Sequence, residues 1–451
     1  MPTPALSFAV LDRRCEGGVM VTASHNPARY NGYKAYAADG AQISGEVAAA
    51  VSAEIEKTDI FNDVKLVDFE EALAAGTIEY IDNALIERYY AAVMAQALRP
   101  ELGKTAGLRL VYTPLNGSGL VPVMTVLKRM GHTDITVVPE QEKPDGDFPT
   151  CPYPNPEILE AMQLGLSLCE KLGADLLLAT DPDSDRVGTA VLQNGAPRLI
   201  SGNEMGVLLL DYICRTRLEL CKMPENPVAV RSIVSTTMSD AVAAHYGVEM
   251  RQVLTGFKYI GEQIAHLEAE GHPERFLFGF EESYGYLSGG YVRDKDAVVA
   301  SMLICEMAAW YKGLGKNLGE ALDDLYAQYG YYFNKVDSYT FPGSDGMEKM
   351  AVLMQKLRTE LPFVIGSCTV TGHTDYETGL RYEDGEGKTP TGLPAADVME
   401  FRFGKEGSLV ARPSGTEPKL KFYYSLRASD RTAAEAAYGE IKASVERWLG
   451  L

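Results

Sequence analysis

Short apolar runs that give way to a polar loop and then to a helical pattern recur along this chain, and that recurrence places it in the α/β class. Candidate strands, most of them such runs, occupy residues 17–21, 108–112, 135–138, 175–179, 228–233, 249–253 and 276–279. Helical patterns lie between many of them, around 45–57, 82–98, 120–130 and up to Leu172. Several of the loops at strand ends carry the charged and hydroxyl-bearing residues. Beyond Gly330 the order changes to strand, helix, several strands around Cys368, Val398 and Leu409, and a closing helix over 432–449, which is α+β. A chain of 451 residues exceeds what one core supports, since cores stop growing near ~250–300 residues. With residues 100–107 reading as a linker, the expected units are 1–99, 100–202, 203–329 and 330–451. Thr3-Pro4 makes a helix start almost at Met1, leading to Arg14 without a preceding strand, so the first unit is expected to be an incomplete α/β domain.

Charge narrows the function classes. A formal net charge of -20 opposes general nucleic-acid binding, which depends on clustered Lys and Arg, so an anionic substrate must meet a local basic site. The seven cysteines are scattered with no CxxC pair, which fits a reduced cytoplasm. Apolar runs such as Val207-Leu208-Leu209-Leu210 stop at Asp211, well short of the ~20 residues a spanning helix needs. Arg13 and Arg14 follow the mildly apolar opening stretch instead of preceding it, unlike a signal peptide. No nucleic-acid or membrane partner is expected, and the location is expected to be cytoplasmic.

Four loops carry candidate chemistry. In Asp181-Pro182-Asp183-Ser184-Asp185-Arg186 the aspartates alternate, so in an extended loop three carboxylates face one side and suit a hard cation such as Mg²⁺. The same residues also suit a solvated acidic turn, whereas an EF-hand fails because Arg186 and Leu192 stand where Gly and Glu are needed. Thr22-Ala23-Ser24-His25-Asn26-Pro27 follows a strand and puts a hydroxyl beside an imidazole, with Lys34 able to return to it; a plain polar turn reads equally well from these residues alone. Arg412-Pro413-Ser414-Gly415-Thr416, ahead of Lys419 and Lys421, offers a forked guanidinium, two hydroxyls and a glycine to a phosphate, or is an ordinary hairpin with exposed lysines. Glu281 and Ser283, in Gly279-Phe280-Glu281-Glu282-Ser283-Tyr284-Gly285, can exchange hydrogen bonds with sugar hydroxyls. Adjacent glutamates point apart in an extended loop, so Glu281 and Glu282 make a poor glycosidase couple.

Taken together and in this order, the four loops resemble the α-D-phosphohexomutase family, the phosphoglucomutases and phosphomannomutases, over nearly the whole chain. The resemblance implies successive three-layer α/β domains followed by a C-terminal α+β domain. It further implies a phosphoserine at Ser24, Mg²⁺ held by Asp181, Asp183 and Asp185 against that phosphate, sugar contacts from Glu281 and Ser283, and a substrate-phosphate site at Arg412, Ser414, Gly415 and Thr416. His25, Lys34 and Arg186 are implied around the phosphoserine, with Lys34 carrying a proton. Thr255-Gly256-Phe257-Lys258 is similar to the loop that senses the sugar hydroxyls, so Lys258 joins the substrate contacts, with Arg293 and Lys295 adding positive charge. The implied activity is interconversion of hexose 1-phosphate and hexose 6-phosphate, with glucose 1,6-bisphosphate as intermediate and activator.

Members of that family carry on the order of a hundred residues before the position of Thr3, about half a domain, which matches the missing opening strand. The wording of the Lys258 and Glu281 loops favours glucose. Phosphomannomutase or phosphopentomutase activity, or binding of sugar phosphates without full turnover, are the alternatives. A phosphatase with an aspartate nucleophile would also use strand-end aspartates, but leaves Ser24 and the Arg412 loop without a role.

Overall fold

The computed structural model describes residues 1–451 apart from 344, 385–386 and 415–417. The apolar runs form three sheets in the first three quarters of the chain. A two-stranded antiparallel hairpin pairs Gly17–Val21 with Tyr33–Ala37, placing Met20 opposite Lys34. A five-stranded sheet follows in the spatial order Ile135–Val137, Leu110–Thr113, Leu176–Thr180, Val187–Gln193, Ala196–Ile200, the first three strands parallel and the last two antiparallel. A four-stranded sheet is ordered Gly285–Leu287, Phe276–Glu281, Val228–Ser232, Glu249–Val253, again with a parallel centre. Leu176–Thr180, Val228–Ser232 and Phe276–Glu281 are buried at every position, as strands covered on both faces must be. The last quarter builds a seven-stranded, wholly antiparallel sheet, with Tyr331–Thr340, Lys419–Ala428 and Gly407–Pro413 at one side. The helices Gly346–Thr359 and Arg431–Leu449 pack against it through a separate core that includes Met354, Leu357, Phe401, Phe422 and Val445.

Two expectations shift. The linker over 100–107 contains a short helix, Leu102–Thr105, and it does not mark a break in the core. Leu85, Tyr89 and Val93, on the helix Asn83–Met94, pack in one continuous cluster with Leu110, Tyr112, Val126 and Leu127, and that cluster extends to Phe280 and Leu325. An amphipathic helix buries its apolar stripe against whatever apolar surface it meets, and here that surface belongs to several units at once. Ala297–Gly313, nearly all buried, runs through the middle of this shared core. Its start is fixed by Asp296, which accepts hydrogen bonds from the backbone N–H groups of Val298 and Val299. Among the described residues no single helix is long and apolar enough to cross a membrane. The second shift concerns Glu281, which closes a strand instead of standing in an open loop.

Candidate active site

The hairpin Gly17–Val21/Tyr33–Ala37 delivers Ser24 at its turn. Ser24 takes a left-handed backbone, φ 52°, unusual for a residue with a Cβ and a sign of a conformation imposed by its surroundings. The Thr22 hydroxyl holds it by accepting the Ser24 N–H at 2.8 Å. Ser24 Oγ then lies 3.2 Å from His25 Nδ1 and 3.4 Å from Asp181 Oδ2. Burial, with the Arg186 charge added, pushes His25 down to about 3, so its imidazole is neutral at physiological pH.

The three aspartates converge, but through a turn and not through the extended alternation expected: the Ser184 N–H bonds the Asp181 carbonyl at 2.9 Å and Ser184 takes φ 54°. Asp181, Asp183 and Asp185 are all buried, and one carboxylate oxygen from each lies within 4.8 Å of the others. Asp181 Oδ1 is pinned by the N–H groups of Asp185 and Arg186, both at 3.0 Å. Asp183 Oδ2 accepts from Thr3, Thr22 and Lys34 at 3.0, 3.2 and 2.9 Å. Asp183 Oδ1 and Asp185 Oδ1 are buried without a hydrogen-bond partner among the described residues. Orphaned carboxylate oxygens in an oxygen-only cluster fit a hard divalent cation, which would satisfy them.

Cations ring this cluster. Lys34 Nζ and Lys295 Nζ both contact Asp185 Oδ2, at 2.6 and 3.0 Å. Arg186 Nη1 bonds Glu157 Oε1 at 3.0 Å and the Ser283 carbonyl at 3.2 Å. Burial and the neighbouring Asp185 and Asp183 push Asp181 well above the usual carboxylate range. Burial also opposes ionisation of Asp185, but Lys295 and Lys34 outweigh it and hold that carboxyl low. For Lys34, burial favours the neutral form, and Asp185 and Asp183 overcome it, so Lys34 keeps its proton.

Most of these groups, Asp185 alone among the three aspartates, line one cavity of about 960 Å³ whose wall comes from all four units. Ser24, His25 and Lys34, Asp185, Arg186 and Lys295, Lys258, Glu281 and Ser283, and Arg412 all line it. Glu281 Oε1 accepts the Gly256 N–H at 2.6 Å, which joins the Glu281 and Lys258 loops. Burial and neighbouring Glu282 push Glu281 up to about 7. Ser414 N–H bonds the Lys419 carbonyl at 2.8 Å, holding the base of the loop whose Gly415 and Thr416 lie outside the described residues.

Arg293 is placed elsewhere. Its guanidinium bonds Glu268 Oε2 at 2.6 Å and the Gly290 carbonyl, and its N–H bonds Ser7 Oγ at 2.9 Å. It ties the first helix to the third unit, and it is not among the cavity-lining residues. Other residues do line the cavity without having been singled out: Asn155 and Glu157 from the Pro-rich loop, Gln42, and Tyr423 two residues beyond Lys421. Lys421 lines it as well. The lysines after Arg412 already marked that last strand; nothing local marks Gln42 or Asn155.

Comparison with known proteins gives a consistent picture. Family models described as phosphoglucomutase/phosphomannomutase alpha/beta/alpha domains I, II and III match residues 1–60, 87–194 and 201–329. A phosphoglucomutase of Staphylococcus haemolyticus (strain JCSC1435) is 37% identical over 431 residues, spanning 95% of this chain and 76% of that protein. Among solved structures, pp63/parafusin, a phosphoglucomutase from Paramecium, superposes with a TM-score of 0.68 at 18% identity, covering 100% of this chain and 82% of that one. An Aspergillus fumigatus N-acetylphosphoglucosamine mutase in complex with GlcNAc-6P and magnesium superposes at 0.56 with 17% identity, covering 99% and 92%. At these identities the structural matches speak for the fold.

Proposed function

The chain belongs to the phosphoglucomutase/phosphomannomutase family, and from that premise we propose that it interconverts glucose 1-phosphate and glucose 6-phosphate by way of a phosphoryl group carried on Ser24. It is a hexose phosphate mutase, an intramolecular phosphotransferase. The observation that carries the finer reading is the meeting of Ser24 Oγ with both His25 Nδ1 and the buried Asp181 carboxyl, with Ser24 and His25 lining a cavity that Arg412 also lines.

In the proposed cycle the bond from phosphorus to Ser24 Oγ breaks as one from phosphorus to the substrate's free hydroxyl oxygen forms. Within this reading His25, 3.2 Å from Ser24 Oγ, and Lys34, which lines the same cavity, between them take the hydroxyl proton and supply the one the departing Ser24 oxygen takes up. The product is a sugar 1,6-bisphosphate, which turns around and returns its other phosphoryl group to Ser24 by the reverse proton movements. Asp181, Asp183 and Asp185 would hold Mg²⁺, which when bound offsets charge on the transferring group. Arg412, with the Ser414–Thr416 loop, grips whichever phosphate is not reacting, through a forked guanidinium suited to that geometry. Glu281, Ser283 and Lys258 read the sugar hydroxyls, and Lys295 and Arg186 add positive charge to the site.

Conversion of glucose 1-phosphate, mannose 1-phosphate and ribose 1-phosphate, each with Mg²⁺ and catalytic glucose 1,6-bisphosphate, tests the sugar. The reading expects the highest kcat/KM for glucose. A higher value for mannose or ribose, or release of free phosphate in place of the isomeric sugar phosphate, overturns it.

A further inference from the structure

Lys295 sits between two acceptors. Its ammonium is 3.0 Å from Asp185 Oδ2 and 3.4 Å from Asp294 Oδ1, and its side chain is only 9% exposed, so among the described residues these two carboxylates are its ion-pair partners. Lys34 occupies the same Asp185 oxygen at 2.6 Å. A divalent cation on Asp185 must share that carboxylate with two ammonium groups, which repel it. The second partner of Lys34, Asp183, is itself one of the three clustered aspartates. The second partner of Lys295, Asp294, lies outside the cluster.

Asp294 is built for that part. It is 1% exposed, and its Oδ2 accepts from Tyr36 Oη and Gln42 Nε2, both at 2.7 Å. Those two bonds turn Oδ1 toward Lys295, whose N–H also bonds it at 2.9 Å. Gly285 lets the lysine stem pass: a Cβ there would stand 2.5 Å from Lys295 Cδ.

We infer that Asp294 is the seat to which the Lys295 ammonium withdraws when a divalent cation occupies Asp181, Asp183 and Asp185. It is a positioning residue that sets cation affinity without touching the cation. This rests on the metal site proposed above. Tyr36 stands two residues beyond Lys34 on one strand, so the hairpin that presents Ser24 also aims Asp294.

The test is Mn²⁺ binding to the full chain followed by electron paramagnetic resonance, in the wild type, D294N, K295M and the double variant, with thermal unfolding as the control for folding. D294N weakens Mn²⁺ on the order of tenfold, the coupling expected between linked sites, because Lys295 then stays on Asp185. K295M tightens Mn²⁺ by removing the competing charge. In the K295M background the D294N change falls below about twofold, since the two act through one contact. Equal weakening by D294N in both backgrounds, no weakening at all, or weaker binding by K295M each overturns the inference. K295M keeps it testable if D294N fails to fold. A wild-type chain that binds no Mn²⁺ overturns the metal site and this inference together, whereas binding with additive variants overturns the inference alone.

Discussion

Gly117 in the loop Thr113-Pro114-Leu115-Asn116-Gly117-Ser118 lies against the backbone of the aspartate loop. A Cβ added there would meet Pro182 Cα at 2.3 Å, its carbonyl oxygen at 2.5 Å and its carbonyl carbon at 2.7 Å. The same contact is bonded, because Ser118 donates to the Pro182 carbonyl through its N–H at 2.7 Å and its hydroxyl at 3.0 Å. Ordinary Cβ contacts begin near 3.4 Å, so G117A forces the two backbones apart by about 1 Å, and neither is a flexible side-chain end. Overpacking of that kind costs about 1–3 kcal/mol. The larger effect falls on function, since Pro182 separates Asp181 from Asp183 and a ~1 Å misplacement of reacting groups can cost on the order of 100-fold in rate. Chemical denaturation together with the Mg²⁺ dependence of turnover measures both. The expected outcome is a folded variant, modestly less stable, with turnover down by about that factor and a raised Mg²⁺ requirement. A G117A protein with wild-type turnover and Mg²⁺ requirement refutes the claim that this contact sets the aspartate geometry.

Two further predictions concern stability. Glu281 is raised from 4.5 to about 7, so the folded chain holds a proton there that the unfolded chain releases near 4.5; its stabilising contribution is present below that pH and lost as pH rises through about 7. That interval corresponds to on the order of 3 kcal/mol, and E281Q should flatten the fall in stability between about pH 5 and about pH 8 in urea titrations; an unchanged slope contradicts the assignment. Asp296 accepts from Tyr89 Oη at 2.9 Å and Tyr291 Oη at 2.6 Å besides capping its helix. D296A strands two buried hydroxyls and a helix start, and should cost on the order of 3 kcal/mol by thermal unfolding; a loss under about 1 kcal/mol contradicts that reading.

The individual loops were legible because turn residues and clustered charge mark strand ends: Asp181, Asp183 and Asp185 crowd one loop and Ser24 stands just past a strand, although the aspartates meet through a turn and not through extended alternation. The C-terminal change to α+β was legible in element order alone. What the chain conceals is which distant residues finish each site. Thr3 bonds Asp183 across 180 positions, and Tyr36 bonds Asp294 across 258; no local pattern encodes either. Arg293 illustrates the reverse. It stands two residues from Lys295 and carries the same charge, yet the 290–296 segment is not a regular strand, so matching parity does not give a matching direction, and Glu268 takes its guanidinium. Local composition marks a linker near residue 100 but does not reveal that apolar faces on its two sides, Leu85 and Leu110 among them, meet in one core.

The central claim is that Ser24 carries the phosphoryl group. Incubating the purified chain with glucose 1,6-bisphosphate and Mg²⁺, then digesting it and mapping phosphate by mass spectrometry, tests this most directly. The account predicts a phosphopeptide containing Ser24, lost again when glucose 1-phosphate is added, and absent from S24A. Stable phosphate on another residue, or an S24A chain that still isomerises glucose 1-phosphate at the wild-type rate, would contradict it.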